Sequence, residues 1–160
     1  MQNLSATQKI EALLQGYGNH LFRLCLVILG NESDAEDAVQ ETLIKYLQKA
    51  PAFTNISHEK AWLIKVASNT CRDMLRYRQR HLQTDTDALQ YMPAVSENPE
   101  ILEALMKLPE KFKLVLVLYY VEGYRINEIA EIINKTPSAV KMRLQKGRKL
   151  LEQIYRKEYL

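Results

Sequence analysis

Glycine and proline are scarce in this chain, with five of each in 160 residues. An all-β protein closes its strands with many tight turns built on such residues, so their scarcity favours helices. Cysteine is limited to Cys25 and Cys71, 46 positions apart, and His20, His58 and His81 form no His-x-x-x-His pair, so no metal site is indicated. Asp34, Glu36 and Asp37 point around a helix rather than converging on a cation. There is no glycine-rich phosphate loop and no Ser or Cys nucleophile motif, which speaks against an enzyme and against a bound cofactor. The longest unbroken apolar run, Leu114–Val121, is far short of the roughly 20 residues a membrane-spanning helix needs. Met1–Thr7 lacks the basic start and apolar stretch of a signal peptide. The expectation is a cytoplasmic protein with reduced cysteines and no membrane insertion. Its 47% apolar and 26% charged residues suit a soluble fold of one domain or two small ones.

The formal net charge of +3 hides a division along the chain. Residues 1–82 carry 10 basic and 8 acidic side chains, and residues 101–160 carry 12 and 7. Between them QTDTDALQYMPAVSENPE holds Asp85, Asp87, Glu97 and Glu100 with no Lys or Arg. That polar, Pro-containing stretch reads as an acidic, flexible linker at 83–98 between a first domain at 1–82 and a second at 99–160. Basic residues cluster in both flanking pieces. Arg72, Arg76, Arg78 and Arg80 fall together, opposed only by Asp73. Lys135, Lys141, Arg143, Lys146, Arg148 and Lys149 lie in a stretch without an acid. Either run alone fits a solvated helix face; two of them suit a polyanion gripped at two places.

The first piece reads as three helices. Apolar residues from Leu13 to Leu29 recur at helical spacing until Gly30 supplies a stop, and Gly16 and Gly18 are expected to bend or interrupt the segment. Ser33 and Glu36 form a capping box for a second helix, with Ala35, Ala38, Val39, Leu43, Tyr46 and Leu47 inside. Its other side shows Asp34, Asp37, Gln40, Glu41 and Ile44. Pro51–His58 is expected as a loop. A third helix then starts after Ser57, with Trp62, Leu63, Val66, Ala67, Thr70, Met74 and Tyr77 inward. Trp62 reads as a packed residue rather than a stacking platform.

Four short helices are expected in the second piece: Glu100–Lys107 capped by Asn98, Glu110–Val121 ending at Gly123, about Ile126–Ile133 ending at Asn134, and Ser138 to about Tyr155 opened by Thr136-Pro137. The fold class is therefore all-α, three helices and then four. The last two form a helix-turn-helix pattern. On the last helix Val140, Leu144, Gly147 and Leu151 share a buried face. The opposite face is Ser138, Met142, Gln145, Lys146 and Lys149, flanked by Lys141 and Arg143. Gln145 suits an adenine edge, Lys146 a guanine and Met142 a thymine methyl. Lys135, Arg148 and Lys149 suit phosphates.

LFRLCLVILGNESDAEDAVQETLIKYL, AWLIKVASNTCRDMLRYRQR and LPEKFKLVLVLYYVEGYRINEIAEIINKTPSAVKMRLQKGRKLLE together resemble a bacterial extracytoplasmic-function (ECF) sigma factor. The motifs A-E-D-x-V-Q-E-T, W-L-x-x-x-A-x-N-x-x-x-D and L-P-x-x-x-x-x-V-L-x-L-x-Y occur in that order over about residues 10–155. The resemblance implies a subunit that binds core RNA polymerase and directs initiation at promoter DNA. It implies that Asp37, Gln40, Glu41 and Ile44 on the acidic helix meet the polymerase. It implies that the loop Phe53–His58, through Phe53, Asn55 and Ile56, captures a flipped base of the minus-ten element. Asn69, Arg72, Asp73 and Arg76 match the following helix along the melting duplex. Ser138, Lys141, Met142, Arg143, Gln145, Lys146 and Lys149 fall on the helix that reads the minus-thirty-five element. An anti-sigma factor is a common partner in the family. The alternative is a stand-alone helix-turn-helix regulator. Arg125 stands where many relatives have a capping Ser or Thr, and Pro137-Ser138 where Val-Gly is frequent. Gly147 replaces a usual Ala, a costly helix residue that a close backbone contact would require.

Overall fold

The computed structural model describes residues 5–81 and 99–160, and among them it contains helices and no strand. The expected linker at 83–98 and the Asn98 cap lie outside the described residues. The first unit is α1 (Ala6–Leu29), α2 (Glu32–Lys49) and α3 (Ile56–His81). The second is α4 (Pro99–Met106), α5 (Glu110–Leu116), α6 (Ile126–Ile133) and α7 (Pro137–Tyr159). A π-helical segment, Val117–Val121, continues α5.

α1 runs unbroken through Gly16 and Gly18, against the expected interruption. Nothing lies within 4 Å of where a Gly16 side chain would start, so neither strain nor packing singles out that position. Ser5 and Gln8 close a capping box at its start, and Gly30, at φ 83°, ends it in the left-handed region. By length and composition α1 is apolar enough to cross a membrane. Its apolar residues from Leu21 to Leu29 are nonetheless buried in a core shared with α2 and α3.

Helix α2 starts two residues before the expected Ser33 box. Asn31 is the cap, its Oδ1 accepting from the Asp34 amide at 2.8 Å, so Ser33 already sits inside the helix. Ala35, Ala38, Val39 and Leu43 are buried as expected, but Leu47 is exposed and Tyr46 only half-buried. Helix α3 likewise starts early, at Ile56, and its Tyr77 is 61% exposed because the helix has outrun the core. In the second unit Asn134 takes φ 57° to end α6, and Thr136 Oγ1 accepts from the Ala139 amide at 3.1 Å to open α7. Gly147 is buried: an alanine there would place its Cβ 3.2 Å from Leu116 Cδ1 and 3.4 Å from Phe112 Cβ. The close approach of α5 to α7 explains the glycine.

The two units pack against each other through α1, α3, α5 and α6. The C-terminal carbonyls of α1 have no basic residue in their own last turn, and cations from elsewhere serve them. Arg78 of α3 donates to the Leu29 carbonyl at 3.0 Å, and the buried Lys113 of α5 donates to the Ile28 carbonyl at 3.0 Å.

Candidate nucleic-acid interface

Helix α2 turns one face to the core and the other to solvent. Ala35, Ala38, Val39 and Leu43 seat it on the core, leaving Asp37, Gln40, Glu41 and Ile44 at spacing i, i+3, i+4, i+7, all exposed. Glu32 and Asp34 occupy the first turn of the helix, where the macrodipole favours them, while Asp37 and Glu41 lie beyond it. Among the described residues neither Asp37 nor Glu41 forms an ion pair, so the face carries negative charge beside an apolar side chain, the chemistry that a basic protein helix would cover.

The turn between α2 and α3 is built on aromatic packing. The Phe53 ring stacks on Tyr46 with centroids 6.0 Å apart and meets Trp62 edge-on at 5.9 Å. Phe53 therefore anchors the loop from beneath and is not a free stacking platform. The Asn55 Oδ1 accepts from the His58 amide at 2.8 Å, which makes Asn55 the N-cap of α3 and explains its early start. Its amide nitrogen remains for a ligand. Ile56, 75% exposed, is the apolar tip of the loop.

Along α3, Asn69, Arg72 and Arg76 share one stripe, and Lys65, exposed at i−4 from Asn69, extends it. Sequence reasoning missed Lys65, although its spacing to Asn69 was readable. Ile56 falls on the opposite side of α3 at 3.6 residues per turn, so the loop tip and the stripe are separate patches linked through Phe53 and Trp62. The basic stretch is less free than its composition indicates. Arg72 Nε donates to Glu110 Oε1 of α5 at 3.0 Å. Arg78 is paired with Asp34. Arg76 is exposed, with Asp73 3.7 Å away.

Helix α7 is held by Val140, Leu144 and Gly147 and carries Ser138, Lys141, Met142, Gln145, Lys146 and Lys149 on its exposed side, with Arg143 half-buried at the edge. Met142, 65% exposed, is the apolar member of this face. Thr136 and Pro137 fix the start of the helix, so these side chains are displayed on a rigid element. Arg148 is turned away from them, its guanidinium 5.8 Å over the Tyr120 ring, so it does not join the expected phosphate contacts in this arrangement. Arg125 cannot cap α6 with its side chain, but its amide donates to Glu128 Oε1 at 2.9 Å, half of a capping box.

Sequence reasoning also missed the polar contacts between the units. Glu122 follows the π-helical segment, and its side chain has no solvent exposure. It meets Arg23 Nη2 at 2.9 Å, His20 Nδ1 at 3.0 Å and Lys60 Nζ at 3.3 Å, all from the first unit. Burial alone would raise its pKa; the Arg23 hydrogen bond and the charges of Arg23, His20 and Lys60 outweigh burial and hold it below the usual carboxylate range. Lys113 is pushed down to about 8, chiefly by burial. Cys25 and Cys71 are free and buried. A hydrogen bond to Cys25, and burial, push the Cys71 thiol up, which disfavours its reactive thiolate. Among the described residues no three His, Cys, Asp or Glu side chains gather into a metal site.

Residues 13–81 match the family Sigma-70 region 2, and residues 99–151 match the family Sigma-70, region 4. The chain is 30% identical over 143 residues to RNA polymerase sigma factor SigV of Bacillus subtilis, covering 87% of this chain and 86% of that one. It is 28% identical over 159 residues to the ECF RNA polymerase sigma factor SigW of the same organism, covering 88% and 85%. Among solved structures it is similar to the sigma factor RpoE from Bartonella quintana, in complex with the anti-sigma factor NepR, with a TM-score of 0.73, 23% identity and coverage of 94% and 98%. It is also similar to CnrH in complex with the cytosolic domain of CnrY, with a TM-score of 0.68, 22% identity and coverage of 93% and 88%. The two structural likenesses carry the fold.

Proposed function

Because this chain belongs to the ECF sigma factors of bacterial RNA polymerase, we propose that its three exposed faces divide the work of initiation between them. The chain is a promoter-specificity subunit: it binds core RNA polymerase and promoter DNA and directs transcription initiation. The match of its first unit to region 2 favours this over a stand-alone helix-turn-helix regulator.

In the proposed division, residues 1–82 form region 2, 83–98 the linker and 99–160 region 4. Asp37, Gln40, Glu41 and Ile44 dock on the polymerase. Phe53, Asn55 and Ile56 shape the loop that takes a minus-ten base, and Asn69, Arg72 and Arg76 follow the strand away from it. Ser138, Lys141, Met142, Arg143, Gln145, Lys146 and Lys149 face the minus-thirty-five element. The protein works in the cytoplasm, where core polymerase and promoters are, and performs no catalysis of its own. An anti-sigma protein is a further proposed partner, supported by the complexes in which the similar RpoE and CnrH were solved.

The observation that carries the division is the separation of charge in space: an exposed acidic stripe on α2, and an exposed basic one on α7. A protein that met only DNA would have no use for the first. The test is reconstitution with core polymerase and genomic DNA, mapping transcript starts for the natural chain and for Glu41→Lys and Lys146→Ala. Glu41→Lys is expected to weaken core binding at unchanged promoter preference. Lys146→Ala is expected to relax selection at one upstream position by about 1–3 kcal/mol. Equal effects of both on core binding would contradict the division.

A further inference from the structure

An open cleft of about 420 Å³ lies where α1 meets α4, the π-helical segment and α7, and it shares no residue with the three faces assigned above. Its volume falls in the range of small-molecule sites, roughly 300–1,000 Å³. Val27 of the first unit and Leu102, Leu105, Leu116, Val117 and Leu151 of the second line it. Ile101, Tyr120 and Val121 belong to the same lining and remain exposed. Large apolar side chains left exposed together around one cleft mark an interaction site. Tyr120 and Val121 are placed there by the π-helical segment, an irregularity found frequently at functional sites.

The few polar groups of the cleft are unevenly matched. Arg148 holds its guanidinium 5.8 Å over the Tyr120 ring and, among the described residues, forms no ion pair. Glu152, the carboxylate in the lining, is engaged by Arg156 at 2.9 Å. Arg23 spends its Nη2 on Glu122, and its Nε is buried without a hydrogen-bond partner. The cleft therefore offers apolar walls for a hydrocarbon chain and cationic donors for an anionic head group. A guanidinium fork matches a carboxylate bidentately. Glu152, four positions after Arg148 on α7, repels a second negative charge on the ligand and so disfavours a phosphate dianion. We propose that this cleft binds a long-chain monocarboxylate, its acyl chain among the apolar walls and its head group on Arg148. Because Arg23 and Val27 come from the first unit, the ligand touches both units.

The test titrates the full chain with dodecanoate below its micellar concentration, read by displacement of a dansyl-labelled fatty acid, with calorimetry for the stoichiometry. A single equivalent is expected to bind. Dodecanol, with the same chain and no charge, is expected to bind about tenfold more weakly, the scale of one charge-assisted hydrogen bond. Arg148→Gln is expected to lower the affinity for dodecanoate about tenfold and to leave that for dodecanol unchanged. Both Arg148 and Ile101 are exposed, so substitution at either leaves the core intact. Ile101→Glu, which puts a charge on the lining, is expected to weaken both ligands. Equal affinity for dodecanoate and dodecanol, or a preference that survives Arg148→Gln, would reduce the cleft to an apolar surface and overturn the proposal. Binding of many equivalents, as in detergent adsorption, would do the same, as would affinity untouched by Ile101→Glu. Tighter binding of dodecyl phosphate than of dodecanoate would refute the carboxylate head group. If none of these amphiphiles binds, the cleft is left to a protein segment and the proposal falls.

Discussion

Arg23 donates to Glu122 at 2.9 Å, joining the first helix of one unit to the turn before the helix-turn-helix of the other. The carboxylate is wholly enclosed, whereas Arg23 and Lys60 keep about a quarter of their side chains in water. A buried charge is costly unless paired, and breaking such a pair leaves its partners uncompensated. The partial exposure of the cations lowers that cost. Glu122→Gln is therefore expected to destabilise the chain by about 2–3 kcal/mol, read from urea unfolding.

The same carboxylate sets an acid limit. Its pKa in the folded chain lies below the ordinary 4.5, so the unfolded chain binds the proton first. The stabilisation is fully present above pH 4.5 and fades as pH falls through the folded value. Thermal unfolding between pH 3 and 7 is expected to show a steeper acid loss for the natural chain than for Glu122→Gln. Parallel curves would assign the acid limit to other carboxylates.

Lys113 makes a linkage of the same sign at the alkaline end. Burial lowers its pKa from 10.5 to about 8, so between those values the unfolded chain carries the extra proton and stability rises with pH. The thiol of Cys71, from its ordinary 9.0, and the phenols of Tyr17, Tyr46 and Tyr124, from 10.0, are shifted upwards and act in the other direction. The expected profile rises by about 1 kcal/mol from pH 8 to 9, then flattens and falls. Lys113→Met is expected to remove the rise and keep the fall. A rise that survives the substitution belongs to another group.

Helix ends that depend on one residue's own chemistry were legible in the sequence: Gly30, Asn134 and Thr136 each stand where they were read. Ends that depend on a choice between neighbours were not, since Asn31 took the cap assigned to Ser33, and Asn55 caps a third helix that was expected to start only after Ser57. The exposed stripes of α2 and α7 followed from helical spacing alone. The contact between the units did not, because Glu122 finds Arg23 and His20 across 99 and 102 positions, beyond the reach of any local pattern.

The glycines show the same limit. Gly16 was read as a break and Gly147 as a close contact, yet sequence spacing treats both as interior helix positions. The structure separates them by their surroundings. Gly16→Ala is expected to gain about 1 kcal/mol of helix propensity, with nothing in the way. Gly147→Ala meets Leu116 and Phe112 and is expected to forfeit that gain through overpacking. Equal stabilisation by the two, in urea unfolding, would show that α5 and α7 can separate at no cost.

Arg72 is the proposed minus-ten residue whose charge is already engaged, by Glu110 at 3.0 Å from the other unit. With both side chains about a fifth to a quarter exposed, the pair competes with phosphate for the same guanidinium. Glu110→Gln is expected to release Arg72 and tighten binding of promoter duplex by the isolated chain several-fold. Each additional phosphate contact steepens the salt dependence of log K by about 0.9, so the slope is expected to rise by about that amount. Fluorescence anisotropy across a salt series measures both. The decisive comparison is Glu110→Gln in an Arg72→Gln background. If Glu110 acts by masking Arg72, the gain disappears there. If the gain persists undiminished, Glu110 repels DNA by its charge alone and the pairing with Arg72 has no part in it.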